Sequence, residues 1–84
     1  MNKTEPRALH AIAAEIRADW ERPYFGAVPY LDAMDWMNKI TDSYGYESAD
    51  DIVRYFLSNA GTWRGPKARE VKAELKAMLP ARRR

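Results

Sequence analysis

Apolar residues recur at helical spacing in four separate stretches of this 84-residue chain, and that periodicity limits its fold more than any other feature. The first stretch predicts a helix from about Thr4 to Arg22, with Thr4 as its cap and Pro6 in its first turn. Its apolar stripe consists of Leu9, Ile12, Ala13, Ile16 and Trp20. The second predicts a helix from Pro29 to about Thr41. Its apolar side consists of Leu31, Ala33, Met34, Met37 and Ile40. Each helix therefore has one face to bury.

The third and fourth stretches have clear start and stop signals. Ser48 and Asp51 form a Ser-x-x-acid arrangement, which predicts the cap of a central helix. The apolar residues of that helix are Ile52, Val53, Phe56, Leu57 and Ala60. Pro66 suits the first position of a last helix, and Pro80 ends it. The apolar positions of the last helix are Ala68, Val71, Leu75, Met78 and Leu79.

Short connections rich in turn-forming residues separate these helices, at residues 23–26, 41–47 and 59–65. No segment predicts a strand. We therefore expect an all-α fold, with a single compact domain of about four short helices over residues 1–80 and a disordered basic tail at 81–84. The C-terminal half has the element order of a helix-turn-helix, although its connection exceeds the roughly three to four residues usual in that motif.

Few residues are suited to catalysis or metal binding. The absence of cysteine excludes disulfides, thiolate metal sites and a cysteine nucleophile, and His10 is the one histidine. Two acid pairs, Asp32 with Asp35 and Asp50 with Asp51, could hold Mg²⁺ or act as acid and base. Both pairs lie near predicted helix starts, where the helix dipole already favours carboxylates. We therefore expect a binding protein rather than an enzyme, with no cofactor and no bound metal.

Positive charge is concentrated at the C-terminal end of the chain. Residues 1–61 contain six Lys/Arg and ten Asp/Glu, whereas residues 62–84 contain eight Lys/Arg and two Glu. The eight cations are Arg64, Lys67, Arg69, Lys72, Lys76, Arg82, Arg83 and Arg84. A basic helix followed by a basic arm is suited to nucleic-acid phosphates. We therefore expect these residues to bind DNA, as a monomer or a homodimer, although Glu70 and Glu74 interrupt the stripe.

An alternative function is indicated by aromatic residues interleaved with acids between residues 24 and 51. Exposed aromatic residues surrounded by charge are typical of protein-binding hot spots. The candidate interaction residues are Tyr24, Phe25, Tyr30, Asp32, Trp36, Tyr44 and Tyr46. The competing interpretation is that most of these rings cover the edge of the core. The sequence also leaves open whether Trp63 is buried under the last helix or exposed beside Arg64.

Two segments resemble small helical proteins encoded by phages and other mobile elements. They are residues 24–34 (YFGAVPYLDAM) and residues 55–60 with 62–65 (YFLSNA and TWRG), within a likeness covering residues 10–79. The resemblance implies no activity and no catalytic residue. The genomic context that it implies favours two roles, a small regulator acting on DNA or an inhibitor of a host protein, and a minor virion component is the third alternative. Because no apolar stretch approaches the roughly 20 residues of a membrane span and no hydrophobic signal region is seen, we expect a protein of the bacterial cytoplasm without a membrane partner.

Overall fold

The computed structural model describes residues 6–45 and 47–80, with the backbone alone given for Tyr44. The described elements are α1 (Leu9–Asp19), α2 (Val28–Met34), β1 (Ser43–Tyr44), β2 (Glu47–Ser48), α3 (Ala49–Ser58) and α4 (Pro66–Met78). Helices dominate and strand is nearly absent, so the prediction of a small all-α domain is confirmed. The predicted cap Thr4 and the predicted disordered tail at 81–84 lie outside the described residues.

The four helices enclose one hydrophobic core built from the predicted apolar stripes. Every stripe residue predicted for the first helix is buried, and so are most of the stripe residues predicted for the other three helices. Five apolar residues pack at the margin of the core, namely Tyr30, Ile40, Leu57, Met78 and Leu79. The close agreement follows from the 3.6-residue repeat, because residues three or four apart in a helix share one face.

Helix packing places α2 against α3 and α1, and it places α4 against α1. The last helix thus rests mainly on the first helix of the chain rather than on the central one. Along the chain, α3 and α4 have the order of a helix-turn-helix. In space, however, α3 packs mainly against α2 and α4 packs mainly against α1. The long connection at 59–65 allows this separation.

The start of α1 differs from the prediction, because the helix begins at Leu9 and Pro6 precedes it. Ala8 has an extended backbone and its side chain forms no cap. Instead, the amides of Leu9 and His10 donate to the carbonyl oxygens of Asn38 and Met37, at 2.9 Å in each case. A segment distant in the sequence therefore supplies the cap that was predicted from local residues.

The segment after α2 shows why this helix ends at Met34 rather than near Thr41. Continuing the helix would require the amides of Asn38 and Lys39 to donate to the carbonyl oxygens four residues earlier. Instead, both amides donate to the Asp42 carboxylate, at 2.9 and 3.0 Å. These amides hold the pKa of Asp42 below its ordinary value.

The expectation of no strand is wrong at one short place. β1 and β2 pair antiparallel, with Ser43 opposite Ser48 and Tyr44 opposite Glu47. Gly45 permits the reversal, because its φ of 65° lies in the left-handed region that favours glycine. Ser48 then caps α3 as predicted, since its hydroxyl accepts from the Asp51 amide at 3.4 Å.

Any side chain at Gly65 is expected to lower the stability of the fold. Its φ of 111° and ψ of 177°, immediately before α4, fall in a region that glycine alone adopts readily. Gly65→Ala should therefore lower the free energy of unfolding by about 1–3 kcal/mol. Gly61 is the matched control, because a Cβ there meets no atom within 4 Å and its φ is not positive. Gly61→Ala should change stability by less than about 0.5 kcal/mol in the same chemical denaturation experiment. Equal stability of the two variants would contradict this backbone assignment.

An ion network joins the chain before α1, α1 itself and α4. Arg7 binds both carboxylate oxygens of Glu74, at 3.0 and 2.7 Å, and lies 2.7 Å from Glu15. Lys67 donates to Glu15 at 2.7 Å. These contacts lower the pKa of Glu15, with the Lys67 hydrogen bond as the largest cause and the Arg7 hydrogen bond as the second.

The network predicts a loss of stability in acid. A carboxyl group whose pKa is lower in the folded state stabilises the fold above its unfolded pKa, and that contribution disappears as the pH falls. Glu15→Gln should therefore be less stable than the wild type at about pH 7 and should approach it at about pH 3. Urea unfolding across this range measures the difference. A constant difference at all pH values would show that Glu15 acts through packing alone.

Candidate nucleic-acid interface

α4 separates its charged residues onto two sides of its buried face. The buried residues are Ala68, Val71 and Leu75. Arg69, Lys72 and Lys76 are spaced three and four residues apart, so they share one side of the helix. Arg69 and Lys76 are exposed and Lys72 is half-buried. This spacing produces a line of positive charge beside the core-facing side.

Lys67 lies apart from that line, although the sequence grouped it with the other cations. Its ammonium group is 2.7 Å from Glu15 and 3.8 Å from Glu70. The hydrogen bond to Glu15 raises the pKa of Lys67. Glu70 and Glu74, which interrupt the basic stripe in the sequence, belong to this same side of the helix. The structure therefore places Lys67 in the ion network described above.

Lys72 is held at a fixed position beside Trp63. Its ammonium group donates to the Trp63 carbonyl oxygen at 2.7 Å and lies 5.9 Å from the centroid of the Trp63 ring. Burial lowers the pKa of Lys72, and the positive charges of Arg64 and Lys76 lower it further. The last two effects indicate that Arg64 and Lys76 each lie close enough to Lys72 to repel its charge.

Arg64 joins the cations of α4 through a shallow depression at the start of the helix. The depression has a volume of about 320 Å³. Its lining consists of Gly61, Trp63, Arg64, Gly65, Ala68, Arg69 and Lys72. The sequence indicates Gly61 and Gly65 as turn formers and nothing more. Their place in this lining depends on how α4 packs, which the sequence does not show.

We call Arg64, Arg69, Lys72 and Lys76 the cationic surface. Among the described residues, these four form no ion pair with a carboxylate. Elsewhere the described ion pairs use Arg7, Arg17, Arg54 and Lys67. No carboxylate within residues 6–45 and 47–80 therefore neutralises the positive charge of the cationic surface by an ion pair. Arg82, Arg83 and Arg84 lie outside the described residues.

The aromatic candidates for protein interaction differ in how exposed their rings are. Phe25 and Trp36 are 78% and 79% exposed, so the interpretation that these rings cover the core does not apply to them. Tyr24 lies against Phe25, with ring centroids 4.8 Å apart, and half-buried Tyr30 lies 5.5 Å from the Tyr55 ring. The side chain of Tyr44 and all of Tyr46 lie outside what the structure describes.

Both acid pairs contact arginine side chains. Arg17 on α1 binds Asp32 and Asp35, each at 2.9 Å, and Arg54 binds Asp50 at 2.7 Å. Across residues 6–45 and 47–80, no group of three or more His, Asp or Glu side chains could hold a metal ion. None of the described helices has the length and apolarity that crossing a membrane needs.

Comparison with known proteins gives no match for this chain among protein-family models, curated proteins or solved structures.

Proposed function

We propose that this protein is a small non-catalytic regulator that binds DNA through phosphate contacts of the cationic surface. The proposal includes a phage or mobile-element origin and action in the cytoplasm of a bacterial host, as the resemblance described above implies. Phosphate contacts fix a protein on the duplex and supply most of the affinity that does not depend on sequence. Arg64, Arg69, Lys72 and Lys76 would make these contacts, and the arginines at 82–84 would add to them.

One observation carries this proposal. The cations at the start and along one side of α4 have no carboxylate partner among the described residues, whereas Arg7, Arg17, Arg54 and Lys67 do. Burial lowers the pKa of Lys72, and the nearby positive charges of Arg64 and Lys76 lower it further. A group of cations without carboxylate partners attracts anions, and binding of an anionic partner lowers its electrostatic energy.

The salt dependence of DNA binding tests the proposal. Purified protein is titrated with a labelled random duplex at about 50 and 200 mM salt, beside a truncation that lacks residues 81–84. The four contacts of the cationic surface predict a log–log slope of about −3 to −4 for the truncation, and the full-length protein should have a steeper slope. Binding that does not change with salt, or no binding at the lower concentration, would overturn the proposal.

A second candidate function is supported by the exposed rings. Phe25 and Trp36 are far more exposed than large apolar side chains usually are, which favours contact with a host protein. Asp32 and Asp35 are neutralised by Arg17, so the acidic part of that surface is weaker than the sequence indicated.

A pull-down from nuclease-treated host lysate tests this second function. A stoichiometric partner should survive nuclease treatment, should be lost with Trp36→Ala and should be kept with Arg69→Ala. Loss of the partner upon nuclease treatment would instead mean that nucleic acid links the two proteins, which would support the DNA-binding proposal.

A further inference from the structure

The depression beside α4 has the composition of a site for a single phosphate group. Arg64, Arg69 and Lys72 provide three cations around it, and Gly61, Gly65 and Ala68 provide walls without bulky side chains. Small walls allow an anion to approach both the backbone and the charged groups closely. The volume of about 320 Å³ is at the lower end for small-ligand pockets, which matches a small anion better than a large ligand.

The cations around the depression are held differently. Lys72 is fixed by its hydrogen bond to the Trp63 carbonyl and by the buried Trp63 ring. Arg64 and Arg69 are exposed, and no carboxylate pairs with them among the described residues, so their guanidinium groups are available to an incoming ligand. One fixed ammonium and two available guanidinium groups suit a tetrahedral oxyanion, which guanidinium can bind through two parallel hydrogen bonds.

We infer that this depression binds one phosphate group between Arg64, Arg69 and Lys72. The inference rests on the proposed function, because it assigns one phosphate of the nucleic acid to a defined place on the cationic surface. The phosphate could be a backbone diester or a terminal monoester. The two share the tetrahedral oxyanion that the site recognises.

Titration of the full-length protein with inorganic phosphate at constant ionic strength tests the inference, with amide shifts followed by NMR. Saturable shifts are expected at Gly61, Gly65 and Arg69, with smaller shifts at His10 on α1. Gly61→Asp adds a carboxylate to the lining where a Cβ meets no atom within 4 Å. It should weaken phosphate binding by about tenfold or more. Gly61→Asn, of nearly the same shape but neutral, is the control for added bulk and should weaken phosphate binding clearly less than Gly61→Asp does.

Duplexes with and without a 5′-phosphate then identify the source. Shifts that need the 5′-phosphate assign the site to a terminal monoester, and equal shifts assign it to the backbone. Absence of saturable shifts with inorganic phosphate and with both duplexes overturns the inference. If duplex binding is nevertheless steeply salt-dependent, the proposed function stands without this site. If duplex binding is also absent, both fail.

Discussion

Replacing Trp63 with alanine is expected to lower the free energy of unfolding by about 3–5 kcal/mol, the usual cost of removing a buried tryptophan. Trp63 is 2% exposed and stacks on Trp20, with ring centroids 5.7 Å apart and an interplanar angle of 13°. It also meets the edge of Phe56 at 6.5 Å, and its indole N–H donates to Asp19 at 2.8 Å. The substitution therefore removes packing from the centre of the core and a hydrogen bond to the end of α1.

The loss is large for a domain of this size. Small domains are stable by about 5–15 kcal/mol, so a substantial fraction of the stability depends on this one side chain. Thermal unfolding followed by circular dichroism should give a melting temperature lower by about 15 °C or more. Trp36→Ala is the matched control, because the Trp36 ring is 79% exposed and its removal should cost less than about 0.5 kcal/mol. Similar melting temperatures for the two variants would contradict the assigned core.

The helices were predictable from the sequence wherever local signals determine them. Ser48, Pro66 and the apolar stripes act through residues within one or two turns, and the structure confirms the helices they predict. The start of α1 was not predictable in the same way. It depends on the amides of Leu9 and His10 donating to the carbonyl oxygens of a segment that is distant in the sequence. A single sequence gives no signal for such pairing.

The candidate site was predictable in its composition and less so in its geometry. The excess of Lys and Arg after Gly61 identified α4, since charge is visible in the sequence. The pairing of Lys67 with Glu15 and the burial of Trp63 both depend on how α4 packs against α1. The first removes Lys67 from the set of unpaired cations, and the second fixes the position of Lys72. Neither can be inferred from the sequence.

Reversing two charges of the cationic surface is expected to weaken DNA binding on the order of 100-fold at about 100 mM salt. In the double variant R64E/R69E, two phosphate contacts are lost and two carboxylates face the phosphates instead. The log–log salt slope should become shallower by about 2. The fold should be retained, because both positions are exposed and lie near the start of α4, where the helix dipole favours carboxylates.

R22E/K39E is the matched control for charge. Arg22 and Lys39 are exposed, form no ion pair among the described residues and lie outside the cationic surface. The two double variants therefore have the same net charge and differ in where the charges were reversed. Circular dichroism melts of both variants would establish that any difference in binding does not come from unfolding.

The affinity of R64E/R69E relative to R22E/K39E for one labelled duplex is the measurement that tests the central claim most directly. If the cationic surface binds phosphate, R64E/R69E should be weaker by on the order of 100-fold, and R22E/K39E should stay within about threefold of the wild type. Equal losses in the two variants would mean that net charge alone drives binding, which would contradict a defined interface on α4.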